Sequence, residues 1–329
     1  MRKIVLSIAA AAALAMSAAP AGAQDAGAWP TRPVTLVVPW AAGGPVDTVA
    51  RIVAARVGQL LGQQMVIENV GGAGGMTGTT RVAKAAPDGY TVLLSGSAVL
   101  AQNPTFHRHS PYDPVADFAH AALFSDSARV LIARKDFPPN SFKEFMDYAR
   151  EHQNTLQYGS AGAGSGSHTC AILLDHAMGA KITHVPYRGA GPAMQDLIAG
   201  RIDYMAEQIS TATPQIKAGA VKAYATFGLN RGPGLENLPT AEELGVKGLD
   251  CGAWGAFSFP KDTPKAIVDR LAKASSDAID TPAVIERYKS IGVVVTPKDR
   301  RSPEFLTQFV KSELERWAGP IKASGVVLD

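Results

Sequence analysis

From Trp29 to the C-terminus, short apolar runs alternate with longer amphipathic stretches, and the breaks fall at glycine, proline and small polar residues. Val34–Pro39, Met65–Glu68 and Tyr90–Ser95 read as strands, with helices at Thr48–Leu61 and Gly78–Lys84. After Phe118 the alternation starts afresh. Strands are expected at Arg129–Ala133, Thr155–Tyr158, Ile182–Pro186, Ile202–Ala206 and Val221–Phe227. The helices between them are Ser141–His152, His168–Met178 and Ala193–Ala199, the first opened by a capping box of Ser141 and Glu144. Beyond Arg231 come one more apolar run, Ala253–Phe259, and two long amphipathic helices. Pro264–Ala278 aligns Ile267, Leu271 and Ala274 on one face; Pro303–Ala323 aligns Phe305, Phe309, Leu314, Trp317 and Ile321. This alternation predicts the α/β class, with helices layered on a mostly parallel sheet. No linker, repeat or low-complexity segment divides the chain after its first residues, so composition alone allows one large sheet.

The first residues have the form of a secretory signal. Arg2 and Lys3 precede an apolar run from Ile4 to about Met16, and Ala21-Gly-Ala23 is a small-x-small site. Cleavage is expected after Ala23, with the mature chain in the periplasm. The run is too short to span a bilayer, no cysteine near the site offers a lipid anchor, and no later stretch is long and apolar enough.

The formal charge is +3, and loss of Arg2 and Lys3 leaves +1. With charges dispersed and no basic stripe, nucleic acid is not an expected partner. The two cysteines, Cys170 and Cys251, enter an oxidising compartment. Neither has a second cysteine or a histidine at metal-ligand spacing, so neither a metal nor a cofactor is expected. Cys170 falls on a helix of one half and Cys251 beside a strand of the other, where a bond would tie the halves together. Two buried free thiols are the favoured reading.

Four segments carry candidate chemistry. In Pro39-Trp-Ala-Ala-Gly-Gly-Pro-Val-Asp47 a strand breaks into a small-residue loop and enters a helix. Free first-turn amides and the helix dipole make such a junction an anion site, although it also serves as a plain tight turn with Asp47 favoured by the dipole. Gly71 to Gly78 lacks both the Walker ending and the G-x-G-x-x-G register, which argues against a nucleotide. Gly159 to His168 holds Ser160, Ser165, Ser167 and His168. A nucleophile elbow is absent because Ala163 stands two before Ser165, so Ser165 is read as a helix cap or ligand partner. His107 and His109 lie in a polar loop without a third ligand at recognisable spacing.

These segments and others, in order, resemble the Bug family, the periplasmic solute receptors associated with tripartite tricarboxylate transporters. The similarity covers essentially the whole chain after the leader. It rests on Pro39 to Asp47, on Glu68-Asn69 with Gly71 to Gly78, on Pro87-Asp-Gly-Tyr-Thr91, and on Tyr158 to Ser165 with His168. His184-Val-Pro-Tyr-Arg-Gly189, Gly200-Arg-Ile-Asp203 and Leu238-Pro-Thr240 with Glu243 complete it. Trp40, Val46 and Val70 depart from the family pattern, which usually has Phe at the first, often a hydroxyl residue at the second and often Arg at the third.

The resemblance implies a type II periplasmic binding protein: two α/β lobes joined by a hinge, with the ligand cleft between them. Residues 24–124 and 227–329 would form the first lobe and 125–226 the second, with hinge crossings near Leu123–Ser125 and Thr226–Gly228 and the final helix returning to the first lobe. It implies a monomeric receptor, not an enzyme, that captures a small carboxylate and hands it to membrane permease subunits. A sensory module or a serine hydrolase built on Ser165 and His168 are the rival readings. In this family the carboxylate is typically held by first-lobe backbone amides and two ordered waters. The implied ligand contacts are Trp40, Ala42, Gly43, Gly44 and Asp47; Gly74 and Gly75; Ser95; and Ser160, Gly162, Gly164, Ser165, His168, Tyr187, Arg188 and Gly189. Arg188 is read as a carboxylate partner facing the cleft rather than a surface charge.

Overall fold

A computed structural model describes residues 29–228, 231–232 and 234–328; the leader and its expected cleavage point lie outside them. In chain order the first lobe opens with β1 (Val34–Val38), α1 (Pro45–Leu61), β2 (Met65–Asn69), α2 (Met76–Ala83) and β3 (Thr91–Gly96). A π-helical turn, Ala98–Gln102, leads into α3 (Asn103–Phe106) and then β4 (Phe118–Ser127). The next elements are β5 (Arg129–Arg134), α4 (Phe142–Glu151), β6 (Gln157–Ser160), α5 (Gly166–Met178), β7 (Thr183–Pro186), α6 (Ala190–Ile198), β8 (Tyr204–Gln208), α7 (Ile209–Lys217) and β9 (Val221–Phe227). The chain ends through β10 (Ala253–Pro260), α8 (Lys265–Ile279), α9 (Pro282–Ser290), β11 (Val294–Val295) and α10 (Pro303–Ala323).

These strands form two sheets rather than one. The first has the order β11-β4-β10-β3-β1-β2 and the second β7-β6-β8-β5-β9. The short edge strand β11 is antiparallel to β4, β10 is antiparallel to both β3 and β4, and β5 is antiparallel to both β8 and β9. β10 and β5 are the strands that follow the crossings between sheets. Only Ala128 separates β4 from β5, so the chain leaves one sheet and inverts into the other at once. Parallel neighbours β1, β2 and β3 are joined through helices, as their geometry requires. Val34, Leu36, Val37 and Val38 are wholly buried, which is why this strand reads as an unbroken apolar run.

Three features differ from the sequence reading. β4 is a ten-residue strand in the segment after Phe118 that sequence left unassigned. Its Ala, His, Ser and Asp content hides it, and the pairing with β10 creates it. The helix α7 was also unseen, because Thr211, Thr213 and Pro214 weaken its helical signature. The final helix does not bury the stripe led by Phe305 and Phe309. It buries Leu306, Val310, Glu313, Trp317 and Ile321, a narrower row at helical spacing. Leu306 and Val310 join a first-lobe core, whereas Trp317 and Ile321 join the core of the second.

The cysteines correct a further expectation. Cys170 and Cys251 form a disulfide, with Cα atoms 5.6 Å apart and both side chains fully buried. Free thiols are expected only if a bond would span the two lobes, and this one does not. Instead Leu249 and Cys251 fold back, before β10 begins, into the second-lobe core with Tyr158, Leu174 and Phe227. The bond staples that segment to α5 within one body.

Candidate functional site

The two sheets face one another across a cavity of about 60 Å³. The C-terminal end of β1 delivers Trp40, and the first turn of α1 contributes Gly44, Val46 and Asp47. The end of β3 brings Ser95 and Ser97, and β4 brings Ser125 and Ser127. From the second lobe come Arg129, Ser165 to Ser167 at the start of α5, and Glu207 and Gln208 at the end of β8. The helix starts follow from sequence. Pro45 is pre-set for a first helical position, and Ser165 caps α5 by accepting from the His168 amide at 3.4 Å.

Of the residues expected to contact a ligand, Trp40, Gly44, Asp47, Ser95 and Ser165 line this cavity. Asp47 already has a full set of protein partners. Its Oδ2 accepts from the Gly43 amide at 3.0 Å and from Arg51 Nε at 2.9 Å, and its Oδ1 from Arg51 and Asn69. Burial works to raise its pKa, but those hydrogen bonds and the Arg51 charge hold it below the usual value. Asp47 therefore ties the loop to the helix. The Ser95 hydroxyl is hydrogen-bonded to the Ala256 carbonyl and Ser258, while the buried indole nitrogen of Trp40 has no partner among the described residues. Gly44 has an ordinary extended backbone with φ −84°; the left-handed position is its neighbour Gly43, at φ +81°.

The other expected contacts lie outside the cavity lining. Ala42 and Gly43 face a neighbouring groove. Gly74, Gly162, Gly164 and Gly189 belong to the seam where the lobes meet, whereas a Cβ on Gly75 would meet Val99 and Trp40 of its own lobe. A Cβ on Gly74 would fall 2.1 Å from the Ala163 carbonyl, and one on Gly164 2.1 Å from Asn103. Nearby the Ala41 amide donates to the Arg188 carbonyl across the seam at 3.3 Å. The Arg188 side chain itself is exposed, and the Tyr187 hydroxyl donates to Asp196 at 2.7 Å. Ser160 pairs with His184 Nε2 at 2.6 Å. His168 stacks on His184 at 4.1 Å between ring centroids, and its Nδ1 accepts from the Gly164 amide. Burial, then the neighbouring His184, pushes His168 down to about 3. The Ser165 hydroxyl meets Ser167 and the His168 amide rather than the imidazole, so no Ser–His proton-transfer pair forms there.

Sequence reasoning passed over Arg129 and Glu207. Both are buried and charged at strand ends, where no motif marks them. Their only signal is an ionisable residue bordering an apolar run.

Against this geometry, the comparisons with known proteins decide the family. The model of the tripartite tricarboxylate transporter family receptor matches residues 49–326. The chain belongs to that family. It is 44% identical over 305 residues to a UPF0065 protein of Agrobacterium vitis, from the TAR-I ttuE-ttuC' intergenic region, covering 93% of this chain and 87% of that one. The periplasmic binding protein BugD superposes with a TM-score of 0.88 at 41% identity, covering 91% of this chain and 99% of BugD. MatC of Rhodopseudomonas palustris, solved with bound malate, gives 0.87 at 40% identity, with 89% and 100% covered. The receptor family's two-lobed fold is thus the fold of this chain, and its relatives are solute-binding proteins.

Proposed function

We propose that this receptor captures a small carboxylate in the cavity between its lobes and presents the closed form to permease subunits of a tripartite tricarboxylate transporter. One observation carries the reading: the N-terminal turns of α1 and α5, one from each lobe, open onto the same cavity. Amide groups there lack internal partners and the helix dipoles favour negative charge. A ligand reaches both ends only when the lobes are together, so binding and closure are coupled. The malate held by MatC supports a carboxylate for this chain too. The hinge lies where the two crossings meet, since a Cβ on Gly228 would stand 3.7 Å from that of Ala128. Export with cleavage after Ala23 places the receptor in the periplasm, and binding without catalysis is its task.

Thermal-shift screening of the exported protein against mono-, di-, tri- and aromatic carboxylates tests this, followed by calorimetry on hits. A carboxylate at a hundredfold excess over its Kd adds about 2.7 kcal/mol of stability. No shift with any acid of the panel, or covalent labelling of Ser165 by a serine-directed probe, overturns the reading.

A further inference from the structure

Arg129 is 4% exposed, yet it has no ion-pair partner among the described residues. Its Nε donates to the Cys251 carbonyl at 3.1 Å, leaving the terminal nitrogens of the guanidinium fork without an acceptor among the described residues. They lie against the cavity wall. A Cβ on Gly166 would fall 2.1 Å from one of them, so the cation sits directly beside the first turn of α5. That is the positive end of a helix, the wrong sign for a cation. Gln102 approaches the same spot from the first lobe, with its Oε1 3.0 Å from the same Cβ position. It is wholly buried, and neither polar atom of its side chain has a partner among the described residues.

Glu207, the other charge in the lining, offsets this only at a distance. Its Oε1 accepts from Thr211 at 2.8 Å, and its buried Oε2 has no partner among the described residues. Burial pushes Arg129 down to about 10, opposed by the Glu207 charge, and pushes Glu207 up, opposed by Thr211 and Arg129. A buried, unpaired cation is costly to the folded chain unless an anion enters beside it. The Arg129 fork is oriented for one. Its Nε is held by Cys251, which the disulfide fixes to the same helix that the fork touches.

We infer that Arg129 is the second-lobe anchor of the site, taking one carboxylate of a short dicarboxylate whose other carboxylate lies at the N-terminus of α1. This deepens the receptor reading and rests on it. Glu207 sets an upper limit on charge. A third carboxylate would enter a small cavity beside a buried acid, so the site selects two negative ends over one and over three.

Calorimetry decides this with the mature protein and dicarboxylates from malonate to glutarate, each against the monocarboxylate of equal chain length, and against citrate. The expected result is that the best dicarboxylate binds at least about 100-fold tighter than its one-ended counterpart and than citrate. Arg129→Met should erase that advantage. Arg129→Lys, which keeps the charge but loses the fork, should retain about a tenth of the affinity for the dicarboxylate. Far-UV circular dichroism and the unfolding midpoint establish that each variant is folded, and Arg129→Lys decides if the Met variant is not. Dicarboxylate binding by the folded variants within threefold of the parent overturns the inference. So does parent binding that favours monocarboxylates, aromatic acids or citrate. Absence of binding by every acid would instead overturn the receptor reading beneath it.

Discussion

Gly74 shows what a single missing side chain does in this molecule. Its φ is +60° and the Ala163 carbonyl occupies the space where a Cβ would stand. Gly74→Ala therefore strains its own turn by about 1 kcal/mol, and it also holds the lobes apart. The expected outcome is a modest fall in unfolding stability with a loss of ligand affinity of at least tenfold, read by denaturant titration and calorimetry. Unchanged affinity would mean that the seam is not a binding determinant. The glycines at positions 74, 162, 164 and 189 were legible as important. Their place was not, because sequence does not distinguish a backbone that approaches a ligand from one that approaches the other lobe. Arg188 and Arg129 make the complementary point. Arg188 follows a strand in a conspicuous Tyr-Arg-Gly turn, yet its side chain is exposed; Arg129 opens an ordinary apolar strand and is buried at the cavity.

Among elements, α5 carries the most. Its N-terminus is capped by Ser165, its body holds Cys170, and its His168 stacks on His184 of β7. The Cys170–Cys251 bond closes a separation of 81 residues, for which chain entropy alone gives about 4–5 kcal/mol. Replacing both cysteines by alanine should lower unfolding stability by roughly 2–5 kcal/mol. Thiol titration of the parent in denaturant should find no reactive group, and two reactive thiols would remove the bond from the account. The stacked histidines give this helix a pH signature. Burial, aided for His168 by its neighbour, holds His168 at about 3 and His184 at about 4, against 6.5 for a free imidazole. Below pH 6.5 the unfolded chain takes up protons that the folded pair refuses. Their contribution is therefore whole above that pH and declines down to about 3. Asp175, raised by burial to about 7 against its hydrogen bonds, works in the opposite sense over the same window. A comparison with His168→Asn/His184→Asn removes that background. The stability advantage of the parent should shrink between pH 7 and pH 5, and a constant advantage would show that the pair does not titrate on unfolding.

At the scale of the whole molecule, α10 joins what the cleft divides. Its buried Glu313 accepts from the indole nitrogens of Trp254 at 3.0 Å and Trp317 at 3.3 Å. Trp254 packs in a first-lobe core and Trp317 in the second. Glu313→Ala should leave two buried donors unsatisfied and cost about 3 kcal/mol of unfolding stability, measured by urea titration. A loss below about 0.5 kcal/mol would show that water or rearrangement replaces the carboxylate. Sequence by itself determined the α/β class, most strands and helices, the loop-to-helix junctions at Asp47 and Ser165, and the family, because these depend on local periodicity, caps and short motifs. Tertiary structure alone decided the rest. It split the strands into two sheets, made a strand of Phe118–Ser127, and brought Cys251 to Cys170. It also set Arg129 and Glu207 at one cavity and turned the expected ligand glycines into a seam. The physical reason is range: each of these outcomes pairs groups far apart in the chain, and the free energy of such a pairing lies in its partner, which neither local stretch encodes.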